Sequence, residues 1–182
     1  LTAIDGAFPV LVVDDGSSDP ASIAALCARH GATVVRHEVS RGPGQARNTG
    51  VAAARTELVA FLDSDCIPPA GWLNPLIAHL ADPTVAAAAP RIQPLEQPAP
   101  GLLVRYARAA SPLDIGPVPG SVRPGDRVAY VPTAALLVRH AALADPPFAA
   151  DLRYGEDIDM IWRLHDAGWA IRYEPSNIID GS

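Results

Sequence analysis

The chain has 182 residues, 49% of them hydrophobic and 19% charged, which suits one folded domain, or one with a small extension, with a real core and argues against a disordered chain. All 14 basic residues are arginine, against 20 acids, for a net charge of −6. That balance excludes a broad basic surface for nucleic acid, and the absence of lysine excludes any chemistry that needs one from this chain.

In chain order the pattern alternates strand and helix. Residues 10–14 (VLVVD) form an apolar run ending in acid, as a buried parallel strand does. Asp15-Gly16-Ser17-Ser18-Asp19-Pro20 is a turn with helix-start chemistry: Ser18 or Asp19 can cap, and Pro20 suits the first helical position. Ile23, Leu26 and Cys27 follow at helical spacing until Gly31. Residues 32–36 predict a second strand, 41–44 a loop, 45–55 an alanine-rich helix, and 58–62 (LVAFL) a third strand ending at Asp63-Ser64-Asp65. A helix over 71–80 and a strand over 85–90 come next, then a proline-rich connection over 93–100 and a helix over 102–110. Residues 111–126 hold four prolines and three glycines and predict a long loop, of the kind that serves as a lid or binding loop. Strands are predicted at 128–131 and 134–139. Gly155-Glu156-Asp157 opens a helix that runs to about residue 167 and stops at Gly168, with Ile158, Ile161, Leu164 and His165 at helical spacing. A final strand over 169–173 ends before Pro175.

Consecutive strand–helix units imply a parallel sheet with right-handed crossovers, in which ligands lie at the carboxyl ends of strands. Two of these strands end in paired acids, Asp14/Asp15 and Asp63/Asp65. Carboxylates two apart on extended chain point the same way, so Asp63 and Asp65 can face one divalent cation, or one of them a sugar hydroxyl. Such hard oxygen ligands suit Mg²⁺ or Mn²⁺, although the same spacing also caps turns. Asp14 and Asp15 fit either a capped turn or a carboxylate accepting from a nucleotide base or ribose. Glu156 and Asp157 occupy a first helical turn, where the dipole favours acids by ~0.3–1 kcal/mol, and Asp157 is also a candidate general base. Arg163 stands four residues after Asp159, the spacing of an ordinary helical ion pair. The five histidines lack metal-ligand spacing and read as structural or solvated. Cys27 and Cys66 are too few for a disulfide framework or a zinc site, so a reducing cytoplasm is the expected compartment, with membrane association of a longer chain left open.

Together, VVDDGSSD (12–19), SRGPGQARNTG (40–50), AFLDSDC (60–66) and YGEDIDMIWRL (154–164) resemble glycosyltransferase family 2, over roughly residues 9–175. The resemblance implies the GT-A fold: α/β and Rossmann-like, with a mostly parallel central sheet flanked by helices. It implies one domain, with a nucleotide-binding half at about 9–90 and an acceptor and catalytic half at about 91–182. The implied activity is inverting transfer of a sugar, with glucose expected, from a UDP-activated donor to a hydroxyl acceptor, aided by Mg²⁺ or Mn²⁺. Asp14, Asp15, Arg41, Arg47 and Asn48 match the family's nucleotide-contacting positions. Asp63 matches a contact to ribose or metal, and Asp65 a metal ligand shared with the diphosphate. Asp157 matches the base, with Glu156 assisting or shaping the site. Segments 110–120, 130–140 and 162–175 resemble the glycosyltransferases of the mycofactocin system, found mainly in actinobacteria; a peptide-derived redox cofactor is then the expected acceptor.

Three departures from the family pattern stand out. Relatives begin with an apolar strand that is central to the sheet. Here residues 1–8 look like the tail of the following helix and loop, so the first strand is expected upstream of Leu1. Pro146-Pro147-Phe148-Ala149 stands where relatives carry Gly-Gly-Phe-Asp. Asp180-Gly181-Ser182 stands where many relatives place a metal-binding histidine, and Asp180 could substitute. The alternative reading is a non-catalytic nucleotide- or sugar-binding module, or an inactive fragment.

Overall fold

The computed structural model describes residues 8–94, 111, 113–152 and 154–181; the helix expected at 102–110 and most of the connection expected at 93–100 lie outside them. The elements are β1 (Leu11–Asp15), α1 (Pro20–Arg29), β2 (Thr33–His37), α2 (Pro43–Ala53), β3 (Leu58–Leu62), α3 (Leu73–Leu80), β4 (Val85–Pro94), β5 (Gly120–Ser121), β6 (Ala135–Arg139), α4 (Glu156–Asp166) and β7 (Ala170–Gly181). Local chemistry sets their ends. The Asp19 carboxylate accepts the Ser22 N–H at 3.1 Å, with Pro20 opening α1.

Two strands outrun their expected ends. β4 continues past Pro90 to Pro94, and β7 continues past Pro175 to Gly181. Both prolines fall where the β4/β7 register shifts, between Pro90↔Glu174 and Arg91↔Ile178, so the missing N–H groups sit at an irregularity. The expected strand at 128–131 does not form. Pro132 cannot donate to a ladder; Val128 and Val131 instead bury their side chains in the core, while Val128 C=O accepts one bond, from Arg123 N–H at 2.9 Å.

β1 and β2 form a parallel pair, and the other strands form a mixed sheet in the order β3-β6-β4-β7-β5. β6 runs antiparallel to β3 and β4, and β7 parallel to β4, so β3, β4 and β7 share one direction. Among the described residues β1 is paired only with β2, and β3 only with β6. α2 spans the two sheets. Its Gly50 lies against β1, where a Cβ would meet Val13 Cγ2 at 3.6 Å. Its Val51 joins the core cluster that holds Phe61 of β3.

β4 is the centre of the molecule, and Ala86–Ala89 along it have no exposed surface. One core cluster, including Phe61, Phe148, Met160 and Tyr173, packs on one side; the other, including Trp72, Leu76 and Ile179, packs against Ala88 and Val85. Among the described residues no helix is long and apolar enough to cross a membrane.

Candidate active site

The β1/β2 register sets Asp14 opposite Arg36 and Asp15 opposite His37. Asp14 is buried; it accepts the Ser17 N–H at 2.9 Å and a hydrogen bond from the Arg36 guanidinium. The Ser17 backbone bond, with help from the Ser17 hydroxyl and Arg36, holds its carboxyl below the usual range. Asp15 accepts from His37 Nδ1 at 2.6 Å, Ser40 Oγ at 2.8 Å, Arg41 N–H at 2.9 Å and Gly42 N–H at 2.9 Å. Burial pushes this carboxyl up, but the Arg41, His37, Ser40 and Gly42 hydrogen bonds outweigh it and hold the group well below the ordinary carboxylate range. The other ring nitrogen of His37 meets Thr49 Oγ1 at 2.9 Å. Asp15 therefore builds the 40–42 loop, with Arg41 exposed upon it. Gly16 makes room: its φ is +79°, and a Cβ would stand 2.6 Å from Ser40 N.

At the end of β3, Asp63 N–H donates to Ala134 C=O at 2.8 Å, and Cys66 N–H returns to Asp63 C=O at 3.1 Å. This turn leaves Asp65 exposed and buries Cys66. Burial, then the charges of Asp65 and Asp63, push the Cys66 thiol up to about 11, which marks an inert structural cysteine. Ile67 and Asp180 form an antiparallel bridge, Ile67 N–H to Asp180 C=O at 2.7 Å, so the end of β7 lies beside the acidic turn.

α2 joins this turn to α4. Arg47 Nη2 donates to Asp63 at 2.9 and 3.2 Å, while its Nη1 donates to Glu156 Oε1 at 3.0 Å. The guanidinium also stands 5.8 Å from the centroid of the Phe148 ring, which packs edge-on against Phe61 at 5.5 Å. Asn48 clasps the Phe148 backbone, accepting its N–H at 2.9 Å and donating to its C=O at 2.8 Å. Gly44 permits the approach, since a Cβ there would meet Glu156 Cγ at 3.4 Å and Phe148 Cβ at 3.5 Å. Glu156 is buried and its neighbour Asp157 half-buried in the first turn of α4. Asp159 and Arg163 form the expected i,i+4 pair, Arg163 Nε donating at 2.9 Å.

The structure thus gathers Arg47, Asp63 and Glu156 directly, with Asp157 next in chain and Asp65 on the same turn as Asp63. Asp14 and Asp15 form a second cluster with Arg36, His37 and the loop that leads into α2. Sequence reading missed Arg36, His37 and Phe148 as site-building residues; the parallel pairing of DD with RH was the available signal for the first two. The loop expected as a lid or binding loop is anchored at two points. Arg91 holds Asp114 through Nε at 2.7 Å and Nη2 at 2.8 Å, and Tyr173 OH donates to Gly116 C=O at 2.7 Å. No group of three or more His, Cys, Asp or Glu side chains stands ready to share a metal ion among the described residues.

The glycosyl transferase family 2 model matches residues 4–101. The chain is 45% identical over 175 residues to the pre-mycofactocin glycosyltransferase of Mycobacterium tuberculosis (strain H37Rv), covering 93% of this chain and 36% of that protein. It is 31% identical over 182 residues to the succinoglycan biosynthesis protein ExoU of Rhizobium meliloti, covering 90% of this chain and 53% of that one. The chain therefore spans about a third and about half of these relatives' lengths. Among solved structures it is similar to GalNAc-T7 with UDP, GalNAc and Mn²⁺ (TM-score 0.68, 16% identity, 95% of this chain, 37% of that one). It is also similar to the mannosyltransferase PcManGT of Pyrobaculum calidifontis in complex with GDP-Man and Mn²⁺ (TM-score 0.65, 22% identity, 94% of this chain, 47% of that one). These likenesses show the fold, GT-A.

Proposed function

Because the chain belongs to glycosyltransferase family 2, we propose that it moves glucose from UDP-glucose to a hydroxyl group with inversion, and that the acceptor is pre-mycofactocin. The observation that carries this reading is the Arg47 guanidinium held between Asp63 and Glu156, because it joins the strand-end acids and the helix-start acids in one cleft. In that cleft Asp157 takes the acceptor proton as the acceptor oxygen bonds to the anomeric carbon and the bond from that carbon to UDP breaks. Inversion needs only this base and a stabilised leaving group. Asp14, Asp15 and the exposed Arg41 frame the nucleotide end, and Asp63 faces the ribose.

The residues present fit a divalent ion held by few protein groups. Asp65, exposed on the turn that ends β3, would hold Mg²⁺ or Mn²⁺, whose hard oxygen preference a carboxylate meets. Such an ion, when bound, neutralises charge on the departing diphosphate. The reading extends to the architecture. β1 and β3 each carry an unpaired edge among the described residues, and α2 lies against β1 through Gly50 and reaches the end of β3 through Arg47 and Asp63, so one further parallel strand between them would complete a single domain.

The test is release of UDP from UDP-glucose, screened beside other UDP-sugars, with pre-mycofactocin as acceptor. Asp157→Asn is expected to lower kcat by roughly 10²–10⁴ while keeping metal-dependent UDP binding. Asp65→Ala is expected to weaken that binding by about tenfold or more, read by calorimetry with and without Mn²⁺. Equal loss of UDP affinity in both variants would reverse these roles. UDP binding without turnover would make the domain a non-catalytic module.

A further inference from the structure

The family resemblance assigns Arg47 to the nucleotide, but its geometry points elsewhere. Both terminal nitrogens donate to carboxylates of the chain itself, Nη2 to Asp63 and Nη1 to Glu156, and the side chain is only 13% exposed. The Phe148 ring lies beside the guanidinium, and the neighbouring Asn48 holds the Phe148 backbone on both sides. Two adjacent residues of α2 therefore fasten the segment that leads into α4. Glu156, whose side chain is 10% exposed, has Arg47 as its one ion-pair partner among the described residues. A buried carboxylate left without its cation is strongly disfavoured, so on loss of Arg47 Glu156 either moves or takes up a proton, and either response loosens the tie that holds the first turn of α4.

We propose that Arg47 is a positioning residue, fixing the base-bearing start of α4 against the donor-facing end of β3 and leaving the donor phosphates to other groups. Asp63 lies two residues before Asp65, and Glu156 lies one before Asp157. One planar cation thus indexes the leaving-group side of the reaction to the proton-accepting side. Misplacement of about 1 Å between reacting groups costs on the order of 10² in rate. This inference rests on the proposed transferase reading for its kinetic form only.

The test uses the full-length protein with UDP-glucose and pre-mycofactocin, comparing Arg47→Met, Arg47→Lys, Glu156→Gln and the Arg47→Met/Glu156→Gln pair. Arg47→Met is expected to lower kcat about 10²-fold with UDP Kd and donor KM within about twofold. Arg47→Lys regains part of that kcat, since an ammonium restores the charge without the fork that reaches both acids. The pair falls no further than Arg47→Met alone, because the neutral amide that replaces the Glu156 carboxylate no longer needs the cation. A donor KM and UDP Kd raised together at unchanged kcat would mean that Arg47 grips the donor, and full multiplication of the two single effects would deny the coupling; either overturns the proposal. Amide hydrogen exchange supplies an arm free of turnover. Arg47→Met, or Arg47→Lys should the former not fold, should speed exchange across residues 155–161 and leave β1 and β2 unchanged. Unaltered exchange there overturns the inference even if the wild type releases no UDP, whereas an inactive wild type with the exchange change present counts against the transferase reading alone.

Discussion

Asp15 shows how a single carboxylate can build a site. It gathers the His37 ring, the Ser40 hydroxyl and two backbone N–H groups, and its depressed titration is the record of those bonds. A carboxyl lowered on folding contributes stability above its ordinary value of 3.8, and that contribution fades as pH falls toward the folded value. Asp15→Asn should therefore cost about 1.5–3 kcal/mol near pH 7, with the gap to wild type narrowing below pH ~4. Urea unfolding at pH 7 and pH 3 checks this, and a gap of constant size would contradict it. The acids were visible in the sequence as pairs at the ends of apolar strands and at a helix start, a pattern that fits turn caps as well as a cleft, and Asp14 and Asp15 do serve turns here. Their partners were not visible. Arg36 and His37 lie 22 residues from Asp14 and Asp15, and only the parallel register brings them together. Glu156 and Arg47 are 109 residues apart and meet only through packing.

Among the elements, the alternation of apolar runs and helical spacing marked β1 through α3 to within two residues. It failed where proline was read as a stop. Pro90 and Pro175 interrupt their strands by one irregularity each, and long-range pairing of β4 with β7 resumes beyond it. The apolar run 128–131 reads as a strand by composition, yet Val128 and Val131 stand three apart and serve a loop that buries their side chains without a ladder. β4 carries the tightest packing. Ala88 is fully buried against the α3 side of the sheet, in the cluster with Trp72 and Leu76. Ala88→Leu is expected to destabilise the domain by about 1–3 kcal/mol through overpacking, measured by denaturant titration. An unchanged midpoint would show slack on that face.

At the scale of the molecule, and among the described residues, the two sheets are joined by α2 rather than by a shared ladder. The proposed strand between β1 and β3 would supply that ladder. Filling that slot with an apolar strand should raise the melting temperature by several degrees, read by thermal denaturation with and without the strand, since a domain of 150–250 residues gains about 2–4 °C per kcal/mol. Equal melting temperatures would deny the slot an occupant. The unpaired edges also have a practical side. Among the described residues, the open N–H and C=O groups along β1 and β3, flanked by apolar side chains, are a template for pairing with another copy, so self-association through these edges is expected as concentration rises.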